Sequence, residues 1–186
     1  MSQLIILPGA IVRKSTLMWM KTLSEHFEPF GFSCHRFMWS GIPSNIMMKY
    51  ACYSFKKFYN DRVESEEDTY IYAKSLGADI VNISYNDLIL KPKIILFVAP
   101  SFKLSSKIEN FSTSELYNLN LSHDRFITKW ERFGIVHKLK LPGKTYTIIN
   151  DESFDHHELN WNSSVTLEEL GTTHLYDLYD QIFQVT

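Results

Sequence analysis

Short uninterrupted apolar runs alternate along the chain with stretches whose apolar residues recur every three or four positions. The first pattern suits strands covered on both faces, and the second suits amphipathic helices. Leu4-Ile5-Ile6-Leu7 predicts a short buried strand, closed by Pro8-Gly9. Ser15 or Thr16 can cap a helix running to about Phe27, with Met20, Leu23 and Phe27 on one face. A second, less purely apolar strand is predicted over Phe32–Trp39. After Gly41-Ile42-Pro43-Ser44, the spacing of Met48, Ala51, Cys52, Phe55, Phe58 and Tyr59 predicts a second helix with one buried face.

The charged segment Asp61–Asp68 reads as a solvated loop before a strand over Thr69–Ala73. Leu76–Ile83 predicts a mostly buried helix, and Lys93–Ala99 the clearest buried strand. From 100 to 144 the pattern weakens: Ser, Lys and Asn dominate until helical spacing returns at Phe126, Trp130 and Phe133. A stretch this long is expected to be a helical excursion or cap beside a pocket, with Phe102, Phe111, Phe126 or Trp130 near it. Thr145–Ile149 and Val165–Leu167 are expected as the last two strands, and His174–Phe183 as a terminal helix.

Strands alternating with helices predict one α/β domain over 1–186. The expected sheet is doubly wound and mainly parallel, with about six strands and helices on both faces. In order of sequence, its strands would lie 2-1-3-4-5-6.

Composition narrows the function classes. Hydrophobic residues make up 45% of the chain and charged residues 22%, a globular balance. The net charge of −2 provides no positive field for nucleic acid or an anionic membrane. No apolar run approaches the length of a membrane span, and the first residues lack the pattern of a signal peptide. Two cysteines do not make a disulfide framework. A cytoplasmic protein is expected. Asp155-His156-His157 could suggest a metal, but adjacent side chains diverge and no HxxxH spacing occurs, so no metal is expected.

The most informative stretch is Tyr70-Ile71-Tyr72-Ala73-Lys74-Ser75-Leu76-Gly77-Ala78. A strand ends in a serine and a helix begins at once. Small residues at −2 and +2, Ala73 and Gly77, let strand and helix come close. The Leu76 N–H, at the helix start, would face an oxyanion formed on Ser75.

This stretch resembles the nucleophile elbow of the α/β-hydrolase family, with A-K-S-L-G in place of G-x-S-x-G. Leu4–Ala10 resembles the family's early strand and the Pro-Gly turn that follows it. Leu170-Gly171-Thr172-Thr173-His174-Leu175-Tyr176 resembles the segment that carries the family's histidine. The resemblance covers about 3–99 and 144–183 and leaves out the middle excursion. It implies a truncated α/β-hydrolase fold, as in the family's small members, with the first two strands of the longer fold missing.

It also implies a serine hydrolase acting on an ester or thioester. Ser75 is the nucleophile, His174 the base and Asp155 the orienting acid, with Asp151 as the alternative acid. Leu76 and Ala10 supply the oxyanion N–H groups. No cofactor is implied. The expected partner is a small-molecule acyl substrate, and a homodimer is the one assembly allowed for. Two alternatives stay open: a non-catalytic hydrolase-like binding protein, and an acyltransferase using the same triad.

Overall fold

Parity along the strands builds the core. In a strand successive side chains point to opposite faces, so an unbroken apolar run can serve two helical layers at once. β1 (Ser2–Leu7) does this: Leu4 and Ile6 enter one apolar cluster, Ile5 and Leu7 the other. β3 (Thr69–Lys74) and β4 (Ile94–Val98) divide in the same way. Tyr70, Tyr72, Ile94, Leu96 and Val98 face one side, and Ile71, Ala73, Ile95 and Phe97 the other.

The computed structural model describes residues 1–9, 14–39, 45–65, 68–98, 111, 113–121, 135–137, 148–150, 164–166, 179–180 and 182–185. The remaining elements are β2 (Phe32–Arg36), β5 (Glu115–Leu121), β6 (Ile135–His137), β7 (Ile148–Asn150) and β8 (Ser164–Thr166), with helices α1 (Lys14–Phe27), α2 (Asn45–Asn60) and α3 (Leu76–Ser84). Six strands form one sheet in the order β2-β1-β3-β4-β5-β7, and all five pairings are parallel.

α1 covers one face with Met20, Leu23 and Phe27, joined by Tyr179, Ile182 and Phe183 from near the chain end. α2 and α3 cover the other with Ala51, Cys52, Phe55 and Tyr59, and Ala78, Ile80 and Val81. His26 at the end of α1 meets Asp180 at 2.6 Å, which ties the chain end to that helix. The fold is therefore α/β, with a parallel sheet flanked by helices on both faces.

Two expectations about the sheet are corrected. Its fifth strand is β5, which comes from inside the 100–144 stretch expected as a helical excursion. Its sixth place is taken by β7, within the Thr145–Ile149 prediction and one residue beyond it. The segment expected as the last sheet strand, around Val165, instead forms β8 and pairs antiparallel with β6 in a separate two-stranded sheet. Phe111 is a core side chain, its ring centre 4.7 Å from that of Tyr85 and 5.6 Å from that of Phe97. Phe102, Phe126 and Trp130, with the rest of the expected cap, lie outside the described residues.

Candidate active site

The winding of the sheet determines where a crevice can open. From β1 the chain crosses through α1 on one face to β2. From β3 it crosses through α3 on the other face to β4. Adjacent parallel strands whose connections leave in opposite directions part at their carboxyl ends, and ligands bind there in doubly wound sheets. In this chain that point lies beyond Leu7 and Ala73, which are register partners. Pro8-Gly9 follows the first strand and Lys74-Ser75 the second.

Ser75 joins β3 to α3 with φ 49° and ψ −123°. This is the backbone of the first central residue of a type II′ turn, a place normally held by glycine. Among the described residues Ser75 and Gln184 are the non-glycine residues with positive φ. Such a conformation costs on the order of 1–3 kcal/mol and persists only where its surroundings enforce it.

The enforcing contacts are identifiable. The Ser75 N–H donates to the Val98 carbonyl at 2.8 Å, and the Ser75 carbonyl accepts from the Ala78 N–H at 2.9 Å. Serine is a favoured helix N-cap, yet the Ser75 side chain makes no capping hydrogen bond to α3. The hydroxyl therefore does not serve the helix it precedes.

Two glycines let the three segments meet. A Cβ on Gly9 would stand 3.2 Å from Ser75 Cβ and 3.6 Å from its Oγ, so the turn after β1 lies directly against the serine. A Cβ on Gly77 would fall 2.5 Å from the Pro8 carbonyl oxygen and 3.0 Å from Leu7 Cβ. The first turn of α3 thus rests on the end of β1, and only glycine fits there. Trp39, also buried, donates its indole N–H to the same Pro8 carbonyl at 3.4 Å.

Leu76 opens α3, so its N–H belongs to the first four of a helix, which have no acceptor within the helix. The positive end of the helix dipole lies at the serine and favours negative charge there. Asp79 in the first turn is oriented favourably to the same dipole.

Ser75, Leu76, Gly77 and the Pro8-Gly9 turn thus lie together at the ends of β1 and β3. Ala10, Asp151, Asp155 and His174 lie outside the described residues.

The sequence pattern assigns Lys74 no role. Lys74 Nζ lies 5.3 Å from the centre of the Trp19 ring, and burial pushes its amine down to about 8. Trp39 was also missed as a clamp on the Pro8 carbonyl. A lone tryptophan three residues beyond a strand gives no sequence signal for such a role.

Among the described residues no three His, Cys, Asp or Glu side chains gather as a metal site, and no helix is long and apolar enough to cross a membrane. Neither a comparison with models of protein families nor one with curated proteins finds a match.

Proposed function

We propose that the protein is a serine hydrolase that cleaves an ester or thioester on a fold of the α/β-hydrolase kind. The observation that carries this reading is Ser75: a non-glycine residue held at φ 49° between a buried strand and a helix, its hydroxyl unused as a cap. The strained turn, the Gly9 contact and the helix start at Leu76 support a nucleophile placed beside oxyanion donors. The chain order Ser75, Asp155, His174 matches the order of nucleophile, acid and base on this fold.

In the mechanism, Ser75 Oγ attacks the acyl carbonyl while His174 takes the hydroxyl proton. The developing oxyanion is held by the N–H groups of Leu76 and Ala10. His174 returns the proton to the leaving alcohol or thiol as the acyl bond breaks. It then draws a proton from water, which attacks the acyl-serine, and returns that proton to Ser75 Oγ as the acid is released. Asp155, or Asp151 in its place, holds the imidazole tautomer that leaves the nitrogen facing Ser75 free to accept.

A panel of p-nitrophenyl esters of increasing acyl length tests the reaction. The protein is expected to release nitrophenolate, and Ser75→Ala and His174→Ala each to lower kcat by at least about 10³. A folded protein that cleaves no member of the panel, or a Ser75→Ala variant with full activity, would falsify the reading in favour of a binding protein. Esterase activity that gives way to transfer when alcohol or amine acceptors are added would reassign the enzyme as an acyltransferase.

A further inference from the structure

The inner side of α2, with Ala51, Cys52, Phe55 and Tyr59, packs on the sheet. At 3.6 residues per turn, Ile46, Tyr50, Tyr53 and Lys57 fall within an arc of about 60° on the opposite side. A helix face that meets only water carries charged and polar residues there. α2 instead leaves Ile46 80%, Tyr50 66% and Tyr53 65% exposed. Ile89, 75% exposed, is held beside the end of this helix, because its N–H donates to Asn60 Oδ1 at 3.1 Å. Single exposed apolar side chains are ordinary on a surface, whereas a continuous stripe of them marks a contact surface.

The charge on this helix is of one sign. α2 carries Lys49, Lys56 and Lys57 and no acidic residue, and the first acid after it is Asp61. Lys56 is paired with Asp87 at 2.8 Å, so the exposed Lys49 and Lys57 supply the charge beside the stripe. An anionic surface complements that face. A second copy would present the same lysines, with no acid of α2 to meet them. Tyrosine and lysine also suit a boundary between lipid and water, since an apolar ring or stem can enter it while the polar tip stays among the headgroups.

We propose that the outer face of α2 docks on an anionic lipid surface, lying in the plane of the interface with Ile46, Tyr50 and Tyr53 inserted and Lys49 and Lys57 against the headgroups. The net charge of −2 does not oppose this, because attraction between exposed charges fades within about 10 Å and the lysines are the charges that meet the surface. The inference stands apart from the hydrolase reading, and its test needs no turnover.

The test is co-sedimentation with lipid vesicles. The native protein is expected to bind phosphatidylcholine vesicles containing about 30% phosphatidylserine roughly tenfold more tightly than vesicles of phosphatidylcholine alone, and to be released by salt. Lys49→Gln with Lys57→Gln should remove that preference. Tyr50→Ser with Tyr53→Ser should weaken binding to both vesicles about tenfold. These four side chains are exposed, so both double variants should keep the native Tm. Leu17→Ser with Met18→Ser, at exposed positions of α1 across the sheet, should bind as the native protein does. A native protein that binds neither vesicle, or a lysine or tyrosine variant that binds as the native does, overturns the inference. So does a concentration-dependent dimer that Tyr50→Ser with Tyr53→Ser abolishes, which would make this face a contact between copies. Binding to polyglutamate but not to vesicles would likewise overturn it, in favour of an acidic protein partner.

Discussion

At the residue scale, the positive φ of Ser75 makes a prediction about stability that is separate from catalysis. A serine there carries strain that glycine would not. Ser75→Gly is therefore expected to stabilise the fold by about 1 kcal/mol, raising Tm by roughly 2–4 °C for a chain of this size. Ser75→Ala keeps its Cβ and should leave Tm near that of the native protein. Thermal unfolding of the three proteins decides the matter. A Ser75→Gly variant no more stable than Ser75→Ala would mean that the turn stores no strain.

At the scale of elements, the two glycines at the β1–β3–α3 meeting point divide stability from reactivity. A methyl group on Gly77 meets the backbone of β1, which cannot swing aside, so Gly77→Ala is expected to cost about 1–3 kcal/mol. On Gly9 the same group meets the Ser75 side chain instead. Gly9→Ala should keep most of the stability and slow the reaction of Ser75. Denaturant unfolding and acylation rates, measured on both variants, should separate in this way. Equal losses of stability would contradict the arrangement.

The same element scale explains what the sequence made legible. β1, β3 and β4 are unbroken apolar runs, because helices cover both of their faces. The serine between Ala73 and Gly77 marks its own turn. β5 is harder to read. Asn118 and Asn120 alternate with Leu119 and Leu121, but Leu116 falls on the opposite parity, so neither periodicity holds through Glu115–Leu121. Its start is fixed by contacts distant in sequence: Ser114 Oγ donates to the Pro92 carbonyl at 2.5 Å and lies 2.7 Å from the Tyr85 hydroxyl. β8 is three residues long, and a single valine cannot show whether it joins the main sheet or pairs elsewhere. The Lys74–Trp19 contact was unreadable because Trp19 comes from α1.

At the scale of the whole molecule, buried titratable groups on both faces of the sheet shape the response to alkali. Between about 8, where burial places Lys74, and the 10.5 of a free amine, the unfolded chain binds one more proton than the fold. Stability therefore rises with pH through that window. Cys34 acts in the opposite sense. Burial, with Glu28 adding to it, holds its thiol up to about 12, against 9.0 for a free one, so its contribution is lost from pH 9.0 upward. Cys52, also pushed up by burial, adds to that loss. Stability should climb from pH 8 to 9 and then stop climbing, and Lys74→Met should flatten the first limb. Urea midpoints between pH 7 and 10 measure this directly. A native profile that falls steadily from pH 8 would show that Lys74 is solvated.

All three scales converge on one hydroxyl at the carboxyl ends of β1 and β3. The most direct measurement is peptide-level mass spectrometry after treatment with a simple alkyl fluorophosphonate. One adduct is expected per chain, located on Ser75, lost in Ser75→Ala and strongly slowed in His174→Ala. A folded protein that stays unmodified under conditions that label a control serine esterase, or an adduct on some other residue, would contradict the account.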